Sequence, residues 1–375
     1  MTAAGARKAT GRVASIALVA GAVLFSLVVL ELGCRVLSRG PGALVHWPNF
    51  AAEMMGIDDG SCNYVSDSRL GWTMPPNCST PSYDTDANGF RRVPVPAAAA
   101  ALAQPPVLAT GSSFTWGHDA ADGETWPAFL QEQSGRQVLN AGVSGYSLDQ
   151  TVLRTEQGAA RLKPLVIVAS FTPGDVWRTE LSLAYSREKP YFAVTRDAGK
   201  DAAKDAGEGR LELRGVPIAP HPRAPLPTAA RWLGWSALAN EIVERLAIRD
   251  GWYYEEAQAV PPGTGETISC LLMGRLARLG VPVMVVAQYG RGYWEADAAY
   301  RARARGSSAG VLGCAAAAGL AAFDLAGPLQ AAIEARGLST LYGSEHHTPE
   351  GNRTVAELIY RELVRRNLLP QAATR

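Results

Sequence analysis

Between residues 107 and 366, short apolar runs alternate with longer segments of helical periodicity, and that alternation admits few folds. Residues 107–110, 137–140 and 165–171 read as strands, and 124–133 and 148–162 between them read as helices. Residues 281–288 and 320–324 supply a fourth and a fifth strand. Helical patterns cover 228–247 and 264–279. Residues 348–366 close the chain as an amphipathic helix, with Val355, Leu358, Ile359 and Leu363 at helical spacing. Strands that alternate with helices predict an α/β fold, here a three-layer α/β/α sandwich around a parallel sheet. Residues 186–226 interrupt the pattern with two strand-like runs, KPYFAV and RLELRGVPI, around the charged DAGKDAAKDAGEG. That predicts an inserted hairpin with a solvated tip.

The N-terminus follows a different rule. Arg7, Lys8 and Arg12 precede 18 uncharged residues, 13–30, about the minimum for a membrane-spanning helix. The basic flank predicts a cytoplasmic tail over 1–12, an anchor over 13–33 and an extracytoplasmic C-terminal bulk, as for a single-pass protein of a bacterial inner membrane facing the periplasm. No clean A-x-A cleavage site follows the apolar run, so an uncleaved signal-anchor is the expectation. Cys34, in LELGC, has the look of a lipoprotein cleavage site, but Glu31 fits that pattern poorly. Residues 34–60 are expected to be a juxtamembrane linker, 61–95 turn-rich, 94–106 a spacer, and 61–370 one domain.

Cys62, Cys78, Cys270 and Cys314 allow three pairings as two disulfides in an oxidising compartment. There is no C-x-x-C pair, and no metal or cofactor is expected. With 36 basic and 35 acidic residues, nothing points to nucleic acid as a partner. The run from Asp84 to Gly89 copies the start of a calcium loop, but its twelfth position is Val95 rather than glutamate, which favours an Asn-Gly turn. GSSAG at 306–310 matches a nucleophile elbow, yet an arginine-rich helical run precedes it, so a turn between helices is expected there.

The first strand of the alternating block runs into VLATGSSFTWG. Gly111 allows a sharp turn, and Ser112 and Ser113 follow at the carboxyl end of a strand, where open α/β sheets place reacting groups. His346, in GSEHHTPEGNR, precedes the last helix and can serve as a base for a serine hydroxyl. His118 is expected at the rim of the cleft and His347 facing away from His346. Trp116, Trp126 and Trp177 are expected either in the core or as an aromatic platform.

In four blocks the chain resembles the SGNH hydrolases, or GDSL esterases, especially their membrane-anchored bacterial branch. The blocks are Gly111-Ser112-Ser113-Phe114-Thr115, Gly145 in NAGVSGYSLDQ, Gly174-Asp175 in SFTPGDVWR, and His346. The upstream LGW…PN…NGFR segment is similar to that branch too. The resemblance implies a flavodoxin-like sheet with Ser113 as nucleophile and His346 as base. It further implies an oxyanion site at the backbone of Ser113 and Gly145 with the block-three position, Gly174.

Three polar anchors of the family pattern are missing. Gly174 stands in place of an asparagine, Ser112 in place of an aspartate, and Gly343 and Ser344 stand where an aspartate should orient the histidine. Asp175, Glu345, Ser344 and Ser112 are the candidate substitutes. The resemblance implies an ester hydrolase or acyltransferase acting on an acylated glycan or lipid of the cell envelope. The missing anchors leave a second reading, a degenerate member that binds envelope glycan without cleaving it. The sequence sets no oligomeric state.

Overall fold

Five apolar runs form one parallel sheet: β1 (Val107–Thr110), β2 (Val138–Asn140), β3 (Val166–Phe171), β4 (Val283–Ala287) and β5 (Ala321–Asp324). The computed structural model describes residues 3–47, 49–54, 62, 64–94, 104–195, 209–219, 226–246, 248 and 251–370. The strand order is β2-β1-β3-β4-β5, and every neighbouring pair is parallel. Leu108 lies opposite Leu139 on one side and Ile167 on the other, which fixes the register at the centre. Near-continuous Val, Ile, Leu and Ala are what a sheet covered on both faces requires.

The pleat divides those side chains between two cores. Leu108, Ile167, Ala169 and Val285 pack with α4 (Leu148–Leu162), α6 (Gly265–Ala277) and α7 (Ala298–Ala317). Val107, Ala109, Val168 and Val286 pack on the other face, with α3 (Trp126–Ser134) and α8 (Pro349–Arg365). The result is the expected three-layer α/β/α sandwich. The order reverses direction between β1 and β3, so the crevice beyond their carboxyl ends is the switch point where such sheets hold ligands.

The cysteines pair as Cys62–Cys78 and Cys270–Cys314, and the second bond ties α6 to α7. GSSAG lies inside α7, with Ser307 and Ser308 buried, rather than in a turn between helices. Alanine- and arginine-rich flanks favour a continuous helix, and packing against α6 tolerates the two glycines. At 84–89 the carboxylate of Asp86 accepts from the backbone N–H of Asn88 (2.7 Å) and of Phe90 (2.9 Å), closing an Asx turn around Gly89. The inserted hairpin pairs Tyr191–Thr195 with Arg210–Arg214. Its charged tip, and most of the expected spacer at 94–106, fall outside the described residues.

The chain divides into two compact units. Residues 61–222 with 257–375 carry the sheet, and residues 1–60 with 223–256 form the other unit. This departs from the expected single domain over 61–370 and from the expected linker over 34–60. The helix α1 runs from Ala3 to Arg39. Beyond it, Ala43, Phe50 and Ala51 are buried rather than exposed. Their cover comes from within the same unit. Ala51 clusters with Ala230, Val243, Trp252 and Tyr253, from the helices Thr228–Leu233 and Ala237–Arg245 and the turn after them.

Candidate active site

Three loops at the carboxyl edge of the sheet, and one loop ahead of α8, bring the four blocks together. β1 runs into Gly111, where a β-carbon would run into the hydroxyls of Thr115 and Ser170. Glycine is therefore required for the chain to turn directly into α2 (Ser113–Trp116). Ser113 opens that helix and is half-buried.

His346 reaches Ser113 from 233 residues away, its Nε2 lying 2.9 Å from the Ser113 Oγ. Several contacts hold the histidine loop. Tyr342 and His347 pair as an antiparallel bridge, and the Gly343 N–H donates to the His346 carbonyl (2.9 Å). The backbone N–H of Arg291 donates to the Glu345 carbonyl (3.0 Å), and that of Gly292 donates to the Glu345 carboxylate (3.0 Å). Phe114 packs on the imidazole of His346 with ring centres 4.8 Å apart.

The carboxylate on the far side of His346 is Asp119, which sequence reasoning missed. Its Oδ2 lies 3.4 Å from the Nδ1 of His346. Such contacts are often long before substrate is present and tighten in the reacting complex. The imidazole holds the Asp119 carboxyl below the usual carboxylate range, against the opposing effect of partial burial. Ser344 donates a further hydrogen bond to Asp119 (3.3 Å).

Asp119 has φ 66°, the left-handed conformation that aspartate tolerates better than most residues. Arg91 fixes this loop from below. Its guanidinium donates to the carbonyls of Trp116 (3.0 Å), Gly117 (2.6 Å) and Ala120, and pairs with Asp122 (2.8 Å). Arg91 comes from the upstream NGFR segment, which gives that segment a structural task. The available signal for Asp119 was the Gly117-His118-Asp119 turn directly after the nucleophile helix.

The candidate substitutes fall elsewhere. Glu345 faces the backbone of Gly290–Gly292, and a β-carbon on Gly290 would overlap its carboxylate. Asp175 is buried and accepts from the Ser112 hydroxyl (2.8 Å), from the backbone N–H of Thr172 (2.8 Å) and from Arg178. Burial pushes the Asp175 carboxyl up, and Arg178 and Ser112 pull it back down. Neither acid touches His346, so both are corrected as orienters. Ser112 links blocks one and three, and Ser344 supports Asp119 without bonding His346.

At block two, Gly145 has φ 81°, and a β-carbon there would lie 3.1 Å from the Tyr185 ring. Gly174 sits in the first turn of α5 (Pro173–Trp177) and offers no side-chain donor. His118 stands on the open side, its ring 4.9 Å from that of His346 and its Nδ1 3.4 Å from the Ser144 hydroxyl. His347 is buried against Phe114 and Tyr342, and desolvation pushes it down to about 3. Trp116 and Trp126 are core residues, and Trp177 packs on Tyr300, so none of the three forms a platform beside Ser113.

Ser113, His346 and Asp119 thus lie in one line, hydroxyl to imidazole to carboxylate, at the carboxyl edge of the parallel sheet. In its blocks and its fold the chain is similar to the SGNH hydrolases. No family model matches the sequence, and no curated protein matches it. Solved structures that match include LAE5, an α/β hydrolase enzyme from the metagenome of Lake Arreo, Spain. It is 14% identical with a TM-score of 0.43, covering 69% of this chain and 94% of that one. Axe2, an acetylxylan esterase from Geobacillus stearothermophilus, matches at 14% identity and a TM-score of 0.40, over 69% of this chain and 94% of its own. A lipase/acylhydrolase from Enterococcus faecalis matches at 13% identity and a TM-score of 0.41, over 72% of this chain and all of its own.

Proposed function

We propose that this protein is a membrane-anchored serine esterase or acyltransferase that acts on an acylated glycan or lipid of the cell envelope. The observation that carries the proposal is the line Ser113–His346–Asp119. In this reading the 3.4 Å contact with Asp119 tightens to hold the proton on Nδ1 of His346, which leaves the Nε2 lone pair facing the Ser113 hydroxyl. Ser113 Oγ attacks the ester carbonyl as His346 takes its proton. The tetrahedral intermediate collapses, the alcohol leaves with the proton from His346, and the acyl group stays on Ser113. His346 then deprotonates water or a sugar hydroxyl, which attacks the acyl-enzyme and returns Ser113 to its starting state.

The envelope location rests on α1. Within residues 15–38, an 18-residue stretch has a mean hydropathy of 2.4 and is not buried within the protein. Just beyond the apolar run, Glu31 accepts from the backbone N–H of Ala237 (2.9 Å) and Leu238 (2.9 Å) and from the Ser236 hydroxyl (2.7 Å). Processing at Cys34 would remove that cap, which favours a retained helix over a lipoprotein. Arg35 donates to the Trp235 carbonyl and lies 3.6 Å from the Trp47 ring. Trp47, Trp232 and Trp235 are exposed, as tryptophans are at a membrane–water interface.

Hydrolysis of p-nitrophenyl acetate by the full chain in detergent, together with fluorophosphonate labelling, tests the chemistry. Turnover and labelling that vanish in Ser113→Ala support it. Absence of both in folded wild type overturns it and favours the glycan-binding reading. Alkaline carbonate extraction tests the anchor: the chain stays in the membrane pellet with an intact N-terminus, and release, or a mature chain beginning at Cys34, contradicts it.

A further inference from the structure

The asparagine side chain missing at block three leaves a space, and that space is filled. A β-carbon placed on Gly174 would lie 3.2 Å from Nη1 of Arg178 and 3.7 Å from Oγ1 of Thr172. The guanidinium of Arg178 therefore stands in the volume that a side chain at 174 would enter. We propose that Arg178 supplies the third oxyanion donor of this site, in place of an asparagine amide. This rests on the esterase reading above.

The guanidinium is held by the loops that carry the other two donors. Its Nη2 donates to the Tyr146 carbonyl (3.1 Å), one residue from Gly145. The same nitrogen pairs with Asp175, whose second oxygen accepts from Ser112 (2.8 Å), one residue from Ser113. The Tyr185 ring, which covers Gly145, lies 5.6 Å from the guanidinium carbon. Arg178 therefore bridges blocks one, two and three. Its side chain retains 20% exposure, so it is not sealed from solvent.

A charged donor, fixed before the reaction in a partly desolvated crevice, stabilises a developing oxyanion more than a neutral amide does. The pairing with Asp175 keeps the guanidinium in place. Glycine at 174 leaves room for the guanidinium, which a side chain there would press on.

The test compares wild type with R178A, R178Q, R178K and the double variant G174N/R178A, as full chains in detergent on p-nitrophenyl acetate. Oxyanion donation predicts a fall in kcat of about 10²–10³ in R178Q with KM little changed. It predicts partial recovery in R178K and in G174N/R178A relative to R178A. A trifluoromethyl ketone, which forms a hemiketal oxyanion on Ser113, should lose affinity in R178Q in step with kcat/KM. Melting curves separate donation from folding, since a merely structural role lowers stability without a split between kcat and KM or rescue by asparagine at 174. Active wild type with R178Q within about threefold in kcat overturns the proposal and leaves the esterase reading intact. Wild type without turnover or Ser113 adduct overturns both.

Discussion

The two ends of the candidate site each lack a side chain of the SGNH pattern that the sequence resembles, and a residue of opposite charge stands near each gap. At the base end, Asp119 comes from the loop after the nucleophile helix and its side chain is 45% exposed. At the oxyanion end, Arg178 comes from four residues beyond Gly174 and is paired with Asp175, which is 1% exposed. Asp119 lies 227 residues from His346 in sequence, where the pattern has an acid two or three residues before the histidine, whereas Arg178 is only four residues from Gly174. Water screens the carboxylate of Asp119, whereas Asp175 at the other end is buried and accepts from Ser112, Thr172 and Arg178. Substitution of the exposed Asp119 should therefore cost less than substitution of a buried orienting acid would.

The largest expected effect lies where the two ends meet. H346A and S113A should each lower kcat by about 10⁶-fold, since removing either member of such a unit leaves only binding and oxyanion stabilisation. The comparison sharpens with D119N, which should cost about 10²–10³ in kcat. That is less than the ~10⁴ seen for a buried orienting aspartate elsewhere, because this carboxylate is exposed and 3.4 Å from the imidazole. A D119N loss equal to that of H346A would erase the contrast. S112A removes one of the hydrogen bonds to Asp175 and should lower kcat about tenfold with KM unchanged, measured in the same assay.

The smallest effect is one of stability. Neither ring nitrogen of His347 has a hydrogen-bond partner among the described residues, and burial pushes the ring from its ordinary 6.5 down to about 3. The unfolded chain takes up this proton first as pH falls, so titration of His347 lowers stability progressively between pH 6.5 and 3 and adds no pH dependence above that window. H347F should narrow the difference in Tm between pH 7 and pH 4 by about a few degrees. An unchanged difference would mean that the ring is protonated and solvated in the fold.

Much of this architecture is legible in the sequence because burial on both faces forces apolar strands. Each of the five lies within two residues of its expected bounds at either end. Ser113 and His346 were legible because their blocks keep their place relative to those strands. Asp119 was not, since a left-handed aspartate in a turn carries no pattern of its own and its role depends on a loop 227 residues away in sequence. Arg178 was hidden for the same reason: the pattern shows that an asparagine is absent, not what stands in its volume. The segment 34–60 was read as a linker because its composition is mixed. Its partners, Ala230 and Val243, lie in helices whose apolar positions gave no sign of which segment they would cover.

The central claim is that Asp119, acting through His346, activates Ser113. The rate at which a fluorophosphonate modifies Ser113, in full-length wild type, H346A and D119N, tests it most directly, because it requires no knowledge of the natural substrate. The account predicts measurable labelling of wild type, none in H346A, and a rate lower by about 10² or more in D119N. Labelling of D119N at the wild-type rate, or no labelling of folded wild type, would contradict it.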